Sequence, residues 1–296
     1  MIGLIISLLV VATRSSVPLI LASVGEVVTE KAGIVNIGIE GFMLLAGVVA
    51  AVVDYATGSP LLGLLAGAGV GFILGLIHGA ASAKLKANQI VLGIGINILA
   101  FGIGVAVLNH VWGNPGQSAP LPTIPPIRID GYFTTPMFLA AIAIALAAHY
   151  IMTRTTLGLE ISACGEDPHS AEALGVKVET LQTLVTAVAG ILHGLAGAYL
   201  VVDYIGQFTR DITAGRGFIA LAIVVLSNWN TILALAASYL LGLAEATALN
   251  LQAILGVPAL SDLLNTLPYI AALVAITIYG VKARAPAWLG RPYIKE

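Results

Sequence analysis

Charge is what this chain has least of. Asp, Glu, Lys and Arg together make up 9% of its 296 residues, against 58% hydrophobic residues and a mean hydropathy of +0.99. Soluble domains carry about 25% charged residues, so the surroundings this sequence suits are lipid. A formal net charge of −2 offers no basic surface to a nucleic acid. The single cysteine, Cys164, excludes an internal disulfide, a Cys-rich metal site and a CxxC redox pair. No GxxxxGK(S/T) loop is present, so ATP is not bound by that device. HExxH and GxSxG are missing too, and no carboxylates pair on a polar surface. His78, His110, His149, His169 and His193 are scattered without metal-ligand spacing. The residues point to no catalytic group, no metal, no cofactor and no reaction performed by this chain alone.

What is present is apolar sequence in long runs. A spanning helix needs about 20 mostly apolar residues, and nine stretches qualify: 2–24, 34–56, 61–83, 89–111, 134–152, 179–202, 213–227, 231–252 and 264–281. The seventh is short and starts beside Arg210, Asp211 and Arg216, as a broken or re-entrant segment would, which sets the range at eight to ten. The expected fold is an all-α integral membrane protein. Met1 to Val11 has no lysine or arginine ahead of Arg14 and no clear cleavage site, so it reads as an uncleaved first span.

One polar island interrupts this pattern, from Thr153 to Val178. Within it Asp167 can cap a helix that starts at Pro168. Ala171 to Leu174 are mostly helix formers, and Gly175 supplies a left-handed stop. A short helix held between two membrane spans is an element on which another chain can push. Basic residues in short loops set orientation. Placing this island in the cytoplasm also puts Lys31, Lys84, Lys86, Arg154, Lys177, Lys282, Arg284, Arg291 and Lys295 there. Arg128 lies outside, and Arg210 and Arg216 sit near the outer face, so the N-terminus is outside and the C-terminus inside.

The third span carries Gly63, Gly67, Gly71, Gly75 and Gly79, one every four residues. Such a row lets another backbone approach closely, and its first meaning is helix packing rather than transport. There is also an internal echo. Ile39-Glu40-Gly41-Phe42 is answered by Gly215-Arg216-Gly217-Phe218, and Leu74-Gly75-Leu76 by Leu241-Gly242-Leu243. Five spans separate the copies, an odd number, so they would run in opposite directions as in transporters with inverted repeats.

Ionisable groups inside membrane segments are functional candidates by default, because each costs a few kcal/mol at the bilayer centre. Glu40 and Arg216 hold equivalent places in the two copies with opposite charge; they either pair across the bundle or line a solute path. Asn36, Asn97 and Glu245 either bind a polar solute or tie helices together. Arg14 either pairs with another span or faces the path. His78 and His193 read as packing groups, and Asp54 and Asp203 as solvated carboxylates near outer helix ends.

Three stretches, Gly25-Glu26 through Thr29 to Met43 (with Val35-Asn36-Ile37-Gly38-Ile39-Glu40-Gly41-Phe42-Met43), Gly158 to Val178, and Ala214-Gly215-Arg216-Gly217-Phe218-Ile219-Ala220-Leu221-Ala222, together resemble permease subunits of ABC importers. The branch is the one handling simple sugars, nucleosides and branched-chain amino acids. The first stretch is most similar to nucleoside permeases, since ribose-type members usually have an S-G-x-D-L-S-V-G form there. The likeness covers nearly the whole chain.

The resemblance implies a single transmembrane permease domain over 1–296, without an ATPase site of its own, in the plasma membrane of a prokaryote. It also implies a second permease subunit, similar or identical, with cytoplasmic ATP-binding subunits and an external solute-binding protein. The loop 153–178 would couple to the ATPase through Gly165, Glu166, Asp167, Pro168, Ala171, Leu174 and Gly175. A nucleoside is the first expected solute, then a simple sugar, then a branched-chain amino acid; an ion-coupled secondary transporter is the rival class. Two departures stand out: many relatives have one more span at the start, and Ser227 replaces a glycine two residues ahead of Trp229-Asn230.

Overall fold

The computed structural model describes residues 2–129, 132–255, 257, 263–280 and 283–294. Lys282 and Lys295 of the basic set, and residue 281 at the end of the last expected span, lie outside the described residues.

In lipid a backbone must satisfy its own hydrogen bonds, so apolar runs become helices. The early helices are α1 (Ile2–Lys31), α2 (Ile39–Thr57), α3 (Pro60–Ala83) and α4 (Gln89–Trp112). A two-stranded antiparallel hairpin, β1 (Ile127–Ile129) with β2 (Tyr132–Thr134), precedes α5 (Pro136–Arg154). The polar island forms α6 (Thr156–Glu166) and α7 (Pro168–Ala173). Then come α8 (Val178–Tyr199), continued by a π-helical turn (Leu200–Ile205), α9 (Arg216–Leu226), α10 (Thr231–Leu255) and α11 (Leu267–Tyr279).

Local chemistry sets several of these ends. Ser59 and Thr135 cap α3 and α5 ahead of a proline at the first helical position. Asn88 Oδ1 accepts the Ile90 and Val91 amides at the start of α4. Gly58 and Gly113, both at φ +64°, stop α2 and α4.

Among the described residues seven helices are long and apolar enough to cross a membrane: α1 to α5, α8 with its π turn, and α10. The stretches expected at 213–227 and 264–281 are apolar but shorter. The 11 residues of α9 and the 13 of α11 reach about 16 and 20 Å at 1.5 Å per residue, less than the ~30 Å hydrocarbon core. What shortens α9 is its entry: Gly206, Ala214 and Gly215 all adopt positive φ, so the chain leaves the helix after α8 and re-enters only at Arg216. The island also departs from expectation. It holds two helices rather than one, because Thr155 caps α6 by accepting the Gly158 amide at 3.2 Å.

At the centre α1 crosses α8. Helices α2 and α3 pack on α8, while α9 and α10 pack on α1. The α3–α8 seam is glycine against backbone. A methyl group on Gly71 would overlap the Gly190 carbonyl, one on Gly75 the Thr186 carbonyl, and one on Gly67 the Ala198 side chain. Gly63 faces Ala50 and Asp54 of α2, and Gly79 faces Thr183 of α8. Gly190, Gly194 and Gly197 answer from the other side, Gly197 against the Met43 backbone.

The two aspartates expected to be solvated are covered. Asp54 is 0% and Asp203 6% exposed. Asp203 accepts the Thr135 hydroxyl at 2.5 Å and lies 3.7 Å from the Arg14 guanidinium, which itself donates to the Asp203 carbonyl at 2.9 Å. Arg14 is therefore paired with α8. His78 and His193 are buried, each edge-on to the Phe42 ring.

Candidate functional site at the paired helix starts

The loop 32–38 turns the chain back from the end of α1, and 206–215 turns it back from the end of α8. Helices α2 and α9 therefore begin next to each other. A helix start offers unpaired amides and a partial positive charge. Glu40, on the first turn of α2, meets that charge: its two carboxylate oxygens accept the Gly215 and Gly217 amides, each at 2.7 Å. On the other side Asn97 of α4 accepts the Gly41 amide at 2.7 Å and donates to the Ile37 carbonyl at 3.0 Å.

Arg216 does not pair with Glu40. Its guanidinium is bound to the Glu245 carboxylate of α10 and also reaches the Ile212 and Thr213 carbonyls. The reason is geometric, because Glu40 is already occupied by the backbone on either side of Arg216. Tyr204 completes this group: its ring lies under both Arg14 (5.6 Å) and Arg216 (5.8 Å). Its hydroxyl donates to Glu245 at 3.4 Å and bonds Ser15 at 3.0 Å.

Two cavities flank the junction. One, of about 200 Å³, is bordered by Glu40, Asn97, Phe101, Arg210 and Asp211. The other, of about 330 Å³, is bordered by Tyr204, Arg216, Glu245, Asn265 and Tyr269; ligand pockets begin near about 300 Å³. It adjoins a third opening that shares Tyr204 and Leu249 and reaches Arg14 and Ser7. The wall of the 330 Å³ cavity combines an ion pair, an amide and two phenol rings with apolar side chains such as Ile219, Leu249 and Pro268. Such a wall can hydrogen-bond a neutral polar molecule and stack a flat one. Asn36 borders none of these openings: it is 0% exposed, and its side chain accepts the Gly38 amide at 2.9 Å to close its own loop. Sequence reasoning missed Tyr204, Asn265 and Tyr269, which no spacing marks.

Residues 8–273 match the family described as branched-chain amino acid transport system / permease component. The chain is 32% identical to the guanosine ABC transporter permease protein NupQ of Bacillus subtilis, over 98% of both chains. It is 33% identical to the nucleoside ABC transporter permease protein NupC of Lactococcus lactis, over 95% of this chain and 94% of that one. With the putative glucose ABC transporter permease protein TsgC13 of Haloferax volcanii the identity is 32%, over 83% and 78%.

The chain belongs to this permease family. It is a multi-pass membrane protein and a transport subunit.

In this permease the island residues gather at the opposite end from the hairpin. Gly165 fits directly against the Lys31 carbonyl, where a methyl group would overlap. Asp167 caps α7 by accepting the Ser170 amide at 3.1 Å and its hydroxyl at 2.5 Å. These bonds, the hydroxyl's first, hold its carboxyl below the usual aspartate range. Pro168 and Ala171 are buried, Leu174 is 87% exposed, and Gly175 turns at φ +94°. Burial pushes the Cys164 thiol up to about 11, with the Glu160 charge adding to it. Glu166 accepts the Ala287 amide at 3.2 Å.

Proposed function

We propose that this permease carries a nucleoside inward across the plasma membrane of a prokaryote, driven by ATP-binding subunits in the cytoplasm and fed by an external solute-binding protein. It works beside a second permease subunit, similar or identical to itself. The observation that carries the solute class is the 330 Å³ cavity of Tyr204, Arg216, Glu245, Asn265 and Tyr269. Its phenol rings suit a flat base, and its ion pair and amide suit a base edge or a ribose hydroxyl. The near-full-length likeness to guanosine and nucleoside permeases supports the same choice over a simple sugar or a branched-chain amino acid.

The path is assigned to Glu40, Asn97, Arg216 and Glu245, with Tyr204 and Tyr269 added, while Asn36 holds a loop. Two halves in opposite orientation form the core: α1, α2 and α3 correspond to α8, α9 and α10. The exchange of partners supports this, with α3 on α8 answered by α10 on α1. Counting α9 and α11, the chain makes about nine passes in one membrane domain. The glycine row fixes α3 rigidly to α8.

The segment 153–178 lies in the cytoplasm, with the N-terminus outside. Lys31, Lys86 and Arg291 gather at this end, in keeping with the excess of basic residues on the cytoplasmic side. ATP-driven movement there rocks the halves about the paired starts of α2 and α9, and solute shifts that balance only through unequal affinity for the two states.

The test is uptake of labelled guanosine by membrane vesicles holding the full importer, with uridine, ribose and leucine as competitors. Competition by nucleosides alone is expected. Competition by ribose or leucine alone would overturn the solute class. Uptake by the purified chain driven by an ion gradient would overturn the dependence on ATP.

A further inference from the structure

We propose that residues 286–294 form the second half of the coupling element, strapping α7 to the loop 32–38 so that the ATP-binding subunit moves both as one body. The inference rests on the reading of 153–178 as the coupling segment.

A helix of six residues has little stability of its own, since isolated helices shorter than about 12–15 residues are marginal. It also follows Asp167, whose extended backbone (φ −150°, ψ 90°) breaks the rod that α6 would otherwise continue. A push on α7 alone would be absorbed by bending at that break. The segment after α11 closes it. Three of its amides anchor it on the near side of the break, to the end of α6 and the loop 32–38: Ala287 to the Glu166 carboxylate at 3.2 Å, Trp288 to the Gly165 carbonyl at 2.8 Å, and Gly290 to the Gly33 carbonyl at 3.1 Å.

Side chains then grip α7 itself. The His169 ring stands edge-on between Trp288, at 5.4 Å, and Tyr293, at 5.0 Å. Tyr293 is 4% exposed, packs with Cys164, Ala171 and Val178, and donates its hydroxyl to Glu172. From the far side the Lys86 ammonium sits 5.6 Å from the Tyr293 ring and bonds Glu179 at 2.5 Å. The turn after α3, helix α7 and the start of α8 thus converge on one tyrosine.

The strap ends where movement would matter. Gly33, at φ +92°, lies in the loop that leads to α2, and Glu40 on the first turn of α2 holds the start of α9. Force on α7 thereby reaches both helix starts through the strap's side chains, the Gly290–Gly33 backbone bond and the Glu40 carboxylate. The three strap residues Trp288, Tyr293 and Gly290 touch neither cavity at those starts, so their effect is on transmission and not on binding.

The experiment measures ATP hydrolysed per solute imported by the full importer in vesicles, for Trp288→Ala, Tyr293→Ala, His169→Ala and the mild Tyr293→Phe. Leu174→Asp, on the exposed end of α7, reports the coupling reading itself. The three alanine variants are expected to raise the ratio about fivefold or more, the range of an ordinary coupling energy, with solute affinity unchanged. Tyr293→Phe keeps the ring beside His169 and loses only the Glu172 bond, so it is expected to raise the ratio about twofold. It also serves as the folded variant if the alanine proteins do not accumulate. A wild-type ratio in Tyr293→Phe and in every alanine variant that accumulates, with Leu174→Asp uncoupled, would overturn the strap alone. A wild-type ratio in Leu174→Asp would overturn the coupling reading beneath it.

Discussion

Glu40 and Gly217 are 177 residues apart in sequence, yet the carboxylate of the first accepts the amide of the second at 2.7 Å. The bond joins the first turns of α2 and α9, the two places where the chain re-enters the membrane bundle. A carboxylate at a helix start is favoured by the amides it meets and by the helix dipole, so Glu40 acts as the side-chain cap of a helix other than its own. Glu40→Ala leaves the Gly215 and Gly217 amides without it, at a cost of about 1–3 kcal/mol for each group that water does not reach. Thermal unfolding in detergent should show a lower midpoint for Glu40→Ala, with Glu40→Gln in between. An unchanged midpoint in both would remove the cap from the account.

The glycine row gives a comparison within one helix. Gly71 meets the Gly190 carbonyl and the Gly194 backbone, whereas Gly69, midway between Gly67 and Gly71 in sequence, has open space around it. Gly71→Ala should therefore destabilise by about 1–3 kcal/mol through overpacking. Gly69→Ala should be neutral or slightly stabilising, since alanine is the better helix former. Equal midpoints for the two variants would contradict a backbone-to-backbone α3–α8 seam.

Cys164 offers a probe of the island. It is 0% exposed, and burial holds its thiol at about 11, while the thiolate is the reactive form. At pH 7.5 the folded protein should resist iodoacetamide and label fully only after denaturation. Rapid labelling of the native protein would mean that α6 and α7 are not docked as described.

Helices such as α3 and α4 are legible in the sequence because their apolar runs continue unbroken to a cap. Their length is set by Ser59, Asn88 and Gly113, all local signals. The short α9 is not legible in the same way: apolarity marks 213–227, but the positive φ of Ala214 and Gly215 decides where the helix begins. Helix α6 is hidden because no long apolar run marks it. It docks by fitting Gly158 against the Ile151 carbonyl and Gly165 against that of Lys31, the second across more than a hundred residues of sequence. At the site, polarity inside a span draws attention to Glu40, Asn97, Arg216 and Glu245, which fold together around the starts of α2 and α9. The same signal also marks Asn36, whose side chain is buried and accepts the Gly38 amide within its own loop. Tyr204 and Tyr269 carry no local mark, since they matter only once α8, α9 and α11 meet. The reciprocal glycines of α8 could have been found, because Gly190 and Gly194 repeat the four-residue spacing of α3.

The proposed solute path runs past the Arg216–Glu245 pair beside Tyr204. Its most direct test is the initial rate of labelled guanosine uptake by vesicles holding the full importer with Arg216→Gln or Glu245→Gln. Each change leaves one half-buried charge without its ionic partner and alters the wall of the proposed path, so each should slow uptake about tenfold or more, with the protein still in the membrane. Wild-type uptake in both variants would contradict the account.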